Sequence, residues 1–246
     1  MPFAPDLLIG GAGIATTLIA SLAWRNRPRS GSLTLAGFMG TIAVWSWAHL
    51  VEHAVSGPLD LALDKLQWTA LAPAAFLWFA FVFEFTGRRD RLERWWPVLF
   101  AWPVAVAALA WLPADSGIPL AVWESIDTEE GLAFWLHVLL SYGVLGVGTV
   151  LLAQEVVSSS LTFRRQALIV LVGTFLLWVA SFVSLFELFG TMHFHALPLG
   201  FAVLGGFMLW GIVGTGLTDI APIAHRTVVR NLSAGVLTVD ADGVVT

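Results

Sequence analysis

The sequence predicts an all-α fold, a bundle of seven transmembrane helices with the N-terminus outside, and three observations predict it. Apolar residues make up 58% of the 246-residue chain, about seven times the ~20 that one helix needs to cross a bilayer. Charged residues are 12%, roughly half the share found in soluble domains, and a mean hydropathy of +0.83 leaves too little polar surface for a water-soluble globule. The apolar residues also run continuously instead of alternating every second position, so helices are expected and an outer-membrane barrel is not. A soluble enzyme and a disordered chain are excluded on the same grounds.

The runs follow in order. Leu7–Trp24 comes first; Ser21-Leu22-Ala23 would suit a signal-peptidase site, but no basic residue precedes Arg25, so this segment is expected to stay as a span. Leu33–Val55 follows Arg25, Arg27 and Arg29. Leu66–Phe85 begins after Lys65 and stops at Thr86-Gly87, before Arg88, Arg89, Arg91 and Arg94. Trp95–Leu112 has Trp95 and Trp96 at one end and Trp111 at the other, as an interfacial aromatic belt requires. Leu132–Ala153 follows an acidic connection with Glu124, Asp127, Glu129 and Glu130, and Ala167–Phe189 follows Arg164 and Arg165. Ala196–Leu217 carries six glycines, at 200, 205, 206, 211, 214 and 216, which favour close helix packing and also ease bending.

Charge sets the orientation. Eleven of the twelve basic residues lie in alternate connections and the tail, all on one side. The other side collects Asp6, Asp60, Asp64, Asp115 and the acidic 124–130 segment, with Lys65 its only basic residue. The positive-inside rule then places the N-terminus outside and the tail in the cytoplasm, in a cell-membrane protein whose partner is the lipid bilayer. The absence of cysteine excludes a disulfide framework and thiolate chemistry. Three segments are expected: a seven-helix transmembrane domain at 1–217, a cytoplasmic linker helix at 218–232, and an incomplete β-hairpin around Asp242-Gly243 at 233–246, the opening of a further domain in a longer protein.

Candidate chemistry gathers in the outer half. His49, Glu52 and His53 are at i, i+3 and i+4 and share one face of the second run, with Trp45 a turn further in. His137 and Ser141 are one turn apart on the fifth run, and Thr174, Ser181, Ser184, Glu187 and Thr191 form a polar stripe on the sixth. Ionisable groups within a span are costly unless paired or hydrated, which makes them a site hypothesis; structural pairing of Glu52 or Glu187 with a nearby histidine is the plainer reading. A ligand or ion pocket would be built from His49, Glu52, His53, His137, Ser141, Ser184 and Glu187, and a metal, if bound, would use His49, His53 and His137. His49-Leu-Val-Glu52-His53 also matches the H-x-x-E-H of inverted zinc peptidases, but that chemistry needs a third ligand and a substrate cleft. A bis-histidine haem across the bundle is a further, weaker option. Retinal is excluded because the only lysine, Lys65, lies at a span end. No cofactor and no nucleic-acid partner are expected. Glu84 and Arg88, four apart, are expected to form an ion pair.

Several short strings resemble one family: Gln67-Trp68, Phe83-Glu-Phe-Thr-Gly87, Gly131-Leu-Ala-Phe-Trp135, Arg164-Arg-Gln166 and Leu217-Thr-Asp-Ile-Ala-Pro222. In this order, with seven spans and an outer N-terminus, they resemble the N-terminal seven-helix sensor region of membrane histidine kinases. Phe85 stands where that family often has tyrosine. The tail Arg230-Asn-Leu-Ser-Ala-Gly-Val-Leu-Thr-Val-Asp-Ala-Asp-Gly243 resembles the opening of a PAS domain. The resemblance implies a receptor for a small ligand or ion, a homodimer, signal-relay positions at Asp219, Pro222 and Arg226, and a downstream response regulator. His225 lacks the acidic neighbour typical of a phosphoacceptor, so no catalytic residue is assigned. The alternative function is a transporter or proton-conducting protein using intramembrane His and Glu.

The orientation has a direct check in this cysteine-free chain. Ser116→Cys should label with an impermeant maleimide from outside intact cells, and Ser159→Cys only after permeabilisation; the reverse pattern would overturn the outer N-terminus.

Overall fold

Hydrocarbon offers no partner for a backbone N–H or C=O, so an apolar run must satisfy its own polar groups, and a helix does so within one segment. The computed structural model describes residues 3–27, 31–52, 54–111, 132–159 and 161–185, with positions 197, 200, 201, 203, 204 and 207. Among the described residues the regular elements are helices: α1 (Phe3–Arg25), α2 (Ser32–Glu52), α3 (Pro58–Leu71), α4 (Ala74–Phe85), α5 (Arg89–Ala110), α6 (Leu132–Ser158) and α7 (Leu161–Leu185). Five stretches are long and apolar enough to cross a membrane: Asp6–Arg25, Ser32–Glu52, Pro58–Phe85, Trp135–Ser158 and Phe163–Val183. The six described positions of the seventh run are helical. The rest of that run, the 218–232 helix, the hairpin, and the sites at His53, Glu187, Asp219, Pro222 and Arg226 lie outside the described residues, as does the side chain of Ser184.

The third run differs from a simple span. It starts earlier, at Pro58, where Gly57 turns the chain with φ +89° and proline takes the first helical position, whose N–H has no helical acceptor anyway. It is then divided at Ala72-Pro73 into α3 and α4. Pro73 has no N–H to return to the Thr69 carbonyl, while Ala72 N–H to Trp68 O at 3.0 Å and Leu77 N–H to Pro73 O at 2.9 Å keep the helical path on both sides. α2 ends at Glu52, three residues short of the expected Val55.

α4 is the centre of the bundle. Its sequence AAFLWFAFVFEF is apolar on nearly every face, and such a helix is buried on all sides. Trp78, Phe81 and Phe85 are fully enclosed, with Leu35, Phe38, Met39 and Ile42 of α2 and Leu152 of α6 against them. α2 and α4 pack on each other, α1 lies along α2, α6 on α4, and α7 on α6, while α5 sits against α3 and α4. Leu7, Val98, Leu139 and Phe175 are each more than 60% exposed, an apolar outer surface suited to lipid and not to water.

The expected ion pair between Glu84 and Arg88 does not form. α4 stops at Phe85, and Thr86 and Gly87 (φ +73°) turn the chain, so Arg88 leaves the helical i,i+4 position that such a pair needs. Each group instead reaches another helix. Arg88 Nη1 lies 3.1 Å from Glu155 Oε1 on α6, whose other oxygen accepts from Ser159 Oγ at 2.6 Å, and Thr34 Oγ1 on α2 donates to Glu84 Oε2 at 2.8 Å. The arginine-bearing ends of α2, α4 and α6 are thereby tied together.

The Trp78 ring lies against Gly148 of α6, and a Cβ there would overlap the ring edge. Trp78 is fully enclosed, so making room for a side chain at 148 means displacing the ring from its packed position. Gly148→Val should therefore destabilise the bundle by about 1–3 kcal/mol, read as a lower thermal midpoint in detergent, whereas Gly143→Ala, where a Cβ meets nothing within 4 Å, should leave it unchanged.

Candidate functional site

The histidines and carboxylates expected to share one pocket fall, where described, in two places. The first is a polar cluster at the end of α2. His49, a turn from the helix end, brings Nδ1 to 3.3 Å from Glu52 Oε2, the i,i+3 geometry that the spacing requires. Gln67 of α3 donates from Nε2 to the same oxygen at 2.6 Å. The His49 ring stacks on Trp45, with centroids 6.1 Å apart and planes 11° apart. Glu52 thus receives a donor from a neighbouring helix, and α2 and α3 are joined by a bond whose acceptor is a carboxylate, the stronger kind.

The second place is a cavity of about 400 Å³ walled by α2, α3, α4, α6, α7 and the start of the seventh run. It begins toward the end remote from the arginines and reaches mid-bundle. His137 and Ser141 of α6 line it together, Ser141 Oγ being 3.4 Å from His137 Nε2. Phe76 stands 6.5 Å from the His137 ring. Ser181 of α7 and Tyr142 of α6 are also in the wall, as are Trp68 and Trp78. Two wall residues hold buried polar atoms without a hydrogen-bond partner among the described residues: Nδ1 of His137 and Nε1 of Trp78. His49 and Glu52 are not among the described wall residues.

Phe201 links the two places. It lines the cavity and meets Phe38 at 6.2 Å and Trp45 at 6.0 Å, both edge to face, and Trp45 in turn stacks on His49. Among the described residues no group of three His, Asp or Glu side chains is arranged to hold a metal ion. The α7 stripe divides as well: Ser181 lines the cavity, whereas Thr174 Oγ1 turns back to the Val170 carbonyl at 2.8 Å.

Sequence reasoning passed over the aromatic wall. Trp68 entered the sequence reading only through the Gln67-Trp68 string, and Trp78, Phe38, Tyr142 and Phe201 carry no local pattern that sets them apart from packing residues. Gln67 appeared only within a motif, although an amide inside an apolar run, six residues before Pro73, was a signal for a polar bond between spans. Tyr142, the only tyrosine of the chain, was a second such signal.

The fold and these features define a multi-pass α-helical membrane protein with a cavity between its spans. Residues 8–222 match the family described as the N-terminal 7TM region of histidine kinase. The chain belongs to that family. A comparison with curated proteins finds no match, and neither does one with solved structures.

The Glu52–Gln67 bond sets a stability test. Gln67→Leu keeps the side-chain bulk but removes the donor, and should lower stability by about 1.5–3 kcal/mol. Gln67→Asn, too short by one methylene, should behave alike. Thermal unfolding followed by helical circular dichroism in lipid nanodiscs checks both.

Proposed function

We propose that the chain is the input module of a membrane sensor histidine kinase, with its N-terminus outside and its tail in the cytoplasm. The cavity receives the stimulus. A displacement of the seventh run then passes through residues 218–232, with Asp219, Pro222 and Arg226 as relay positions, to a PAS domain that opens near residue 233. The working form is a homodimer, and the phosphoryl group reaches a response regulator in a two-component system. The observation that carries this reading is the make-up of the cavity wall: Leu197 and Phe201 of the seventh run stand in it beside α4, α6 and α7. A stimulus shifts a two-state bundle only through unequal affinity for the two states, and a wall shared with the run that leads to the tail makes occupancy and displacement of that run one event.

Close packing supports the same run as a moving part. Gly200 lies directly on Ala180 of α7, and a Cβ at Gly173 would come to 2.8 Å from Leu204 Cδ1. Surfaces this tight have few arrangements and change between them as units.

Residues 1–232 grafted onto the PAS and kinase domains of a homologous membrane histidine kinase provide the test. In membranes, Phe201→Ala and the cavity-filling Ala75→Phe should each shift autophosphorylation by about fivefold or more. Unchanged autophosphorylation in both, together with proton flux in pyranine-loaded proteoliposomes, would establish the transporter reading instead.

A further inference from the structure

The cavity wall is specific in what it offers. Its described residues include no Asp, Glu, Lys or Arg, so an ionised ligand would be taken from water to a place without a counter-charge, which is strongly unfavourable. Five aromatic side chains, from α2, α3, α4, α6 and the seventh run, stand in the wall, and aromatic rings favour offset or edge-to-face contact with another ring. The volume, about 400 Å³, is within the range of small-molecule sites. The polar content is small and concentrated. His137 and Ser141 lie side by side, and the buried Nδ1 of His137 and indole N–H of Trp78 have no partner among the described residues. A buried polar atom without a partner is costly, and beside these two the His137–Ser141 pair gives an incoming carbonyl or hydroxyl a hydrogen-bonding place in the wall.

We propose that this cavity binds an uncharged, ring-containing small molecule with a single hydrogen-bonding group. Its ring lies among Trp68, Trp78 and Tyr142, its polar group meets His137 and Ser141, and Phe201 is the positioning residue through which the seventh run responds. The proposal rests on the sensory reading above and adds the chemistry of the stimulus. Phe201 is suited to its role because it touches the cavity on one side and both Phe38 and Trp45 on the other. A ring entering the cavity must be accommodated by that edge-to-face set, and Trp45 extends the contact to His49 and the Glu52–Gln67 bond.

Benzophenone is a suitable probe: neutral, two-ringed, with one carbonyl, and able on irradiation to abstract a C–H hydrogen and join its ketyl carbon to the carbon left behind. The 246-residue chain in lipid nanodiscs is irradiated with it and the adducts are mapped by mass spectrometry. Adducts should concentrate on the cavity wall and saturate, while those on the lipid-facing Val147 and Phe175 rise without saturating. Ala75→Phe should lower the wall adducts by about tenfold or more, and His137→Phe should raise the half-saturating concentration by about tenfold, with helicity kept in both. 4-Benzoylbenzoate, the same rings with a carboxylate, should leave the wall unlabelled. Wall labelling that does not saturate, that ignores both substitutions, or that is equal for the carboxylate would overturn the proposal. The two readings separate in the grafted kinase: saturable wall labelling with unchanged autophosphorylation upholds the ligand class and defeats the sensory reading, and a responsive kinase without wall labelling does the opposite.

Discussion

The hydrogen bonds described within the spans are governed by the lack of partners in hydrocarbon. The hydroxyls show it most simply. Thr16, Thr17, Ser46, Thr149 and Thr174 each donate to a carbonyl one turn back on their own helix, at 2.6–2.8 Å, so they enter the spans without exposing a polar atom to lipid. Two of these oxygens then accept from a neighbour: Trp47 Nε1 reaches Thr17 Oγ1, and Trp178 Nε1 reaches Thr149 Oγ1, both at 3.1 Å. The indoles thereby connect α2 to α1 and α7 to α6. A side chain satisfied first by its own helix becomes a junction between helices.

The charged and amide groups extend that logic to the two ends. At the arginine-bearing end, Arg88–Glu155 and Thr34–Glu84 join α4 to α6 and to α2. At the other, Gln67–Glu52 joins α3 to α2. Between them lies the aromatic core of α4, and beside that core the cavity. The bundle is fastened by polar bonds toward its two ends, and its hollow lies among aromatic and aliphatic side chains with His137, Ser141 and Ser181 as the polar part of the wall. The Pro73 interruption falls between these two regions, so the segment bearing Gln67 and the segment bearing Trp78 are separate helices, not one rigid rod.

Much of the fold was legible because the membrane reduces the problem to length and apolarity, and the helical runs needed no knowledge of tertiary contacts. What was not legible depended on neighbours. The one-face spacing of His49 and Glu52 correctly brought the two together, since both are on one helix, but the donor from Gln67 required knowing that α3 lies beside α2. The i,i+4 rule applied to Glu84 and Arg88 assumed a continuous helix, and Gly87 ended it. The grouping of His49 and Glu52 with His137 rested on shared depth and on the one-face spacing of the second run, and neither says which neighbouring helix that face of α2 meets. The aromatic wall was invisible for a related reason: a tryptophan that packs and a tryptophan that lines a cavity have the same local sequence.

Trp78 and Gly148 carry a consequence for how related chains diverge. The indole of Trp78 occupies the space that any side chain at residue 148 would need, so residue 148 is not free to enlarge alone. A lineage that enlarges residue 148 must first, or at once, shrink residue 78, and doing so removes part of the cavity wall. Relatives with a bulkier residue at 148 are therefore expected to carry a smaller one at 78 and a differently shaped hollow, so that one correlated pair of codons records the divergence of recognition within the lineage.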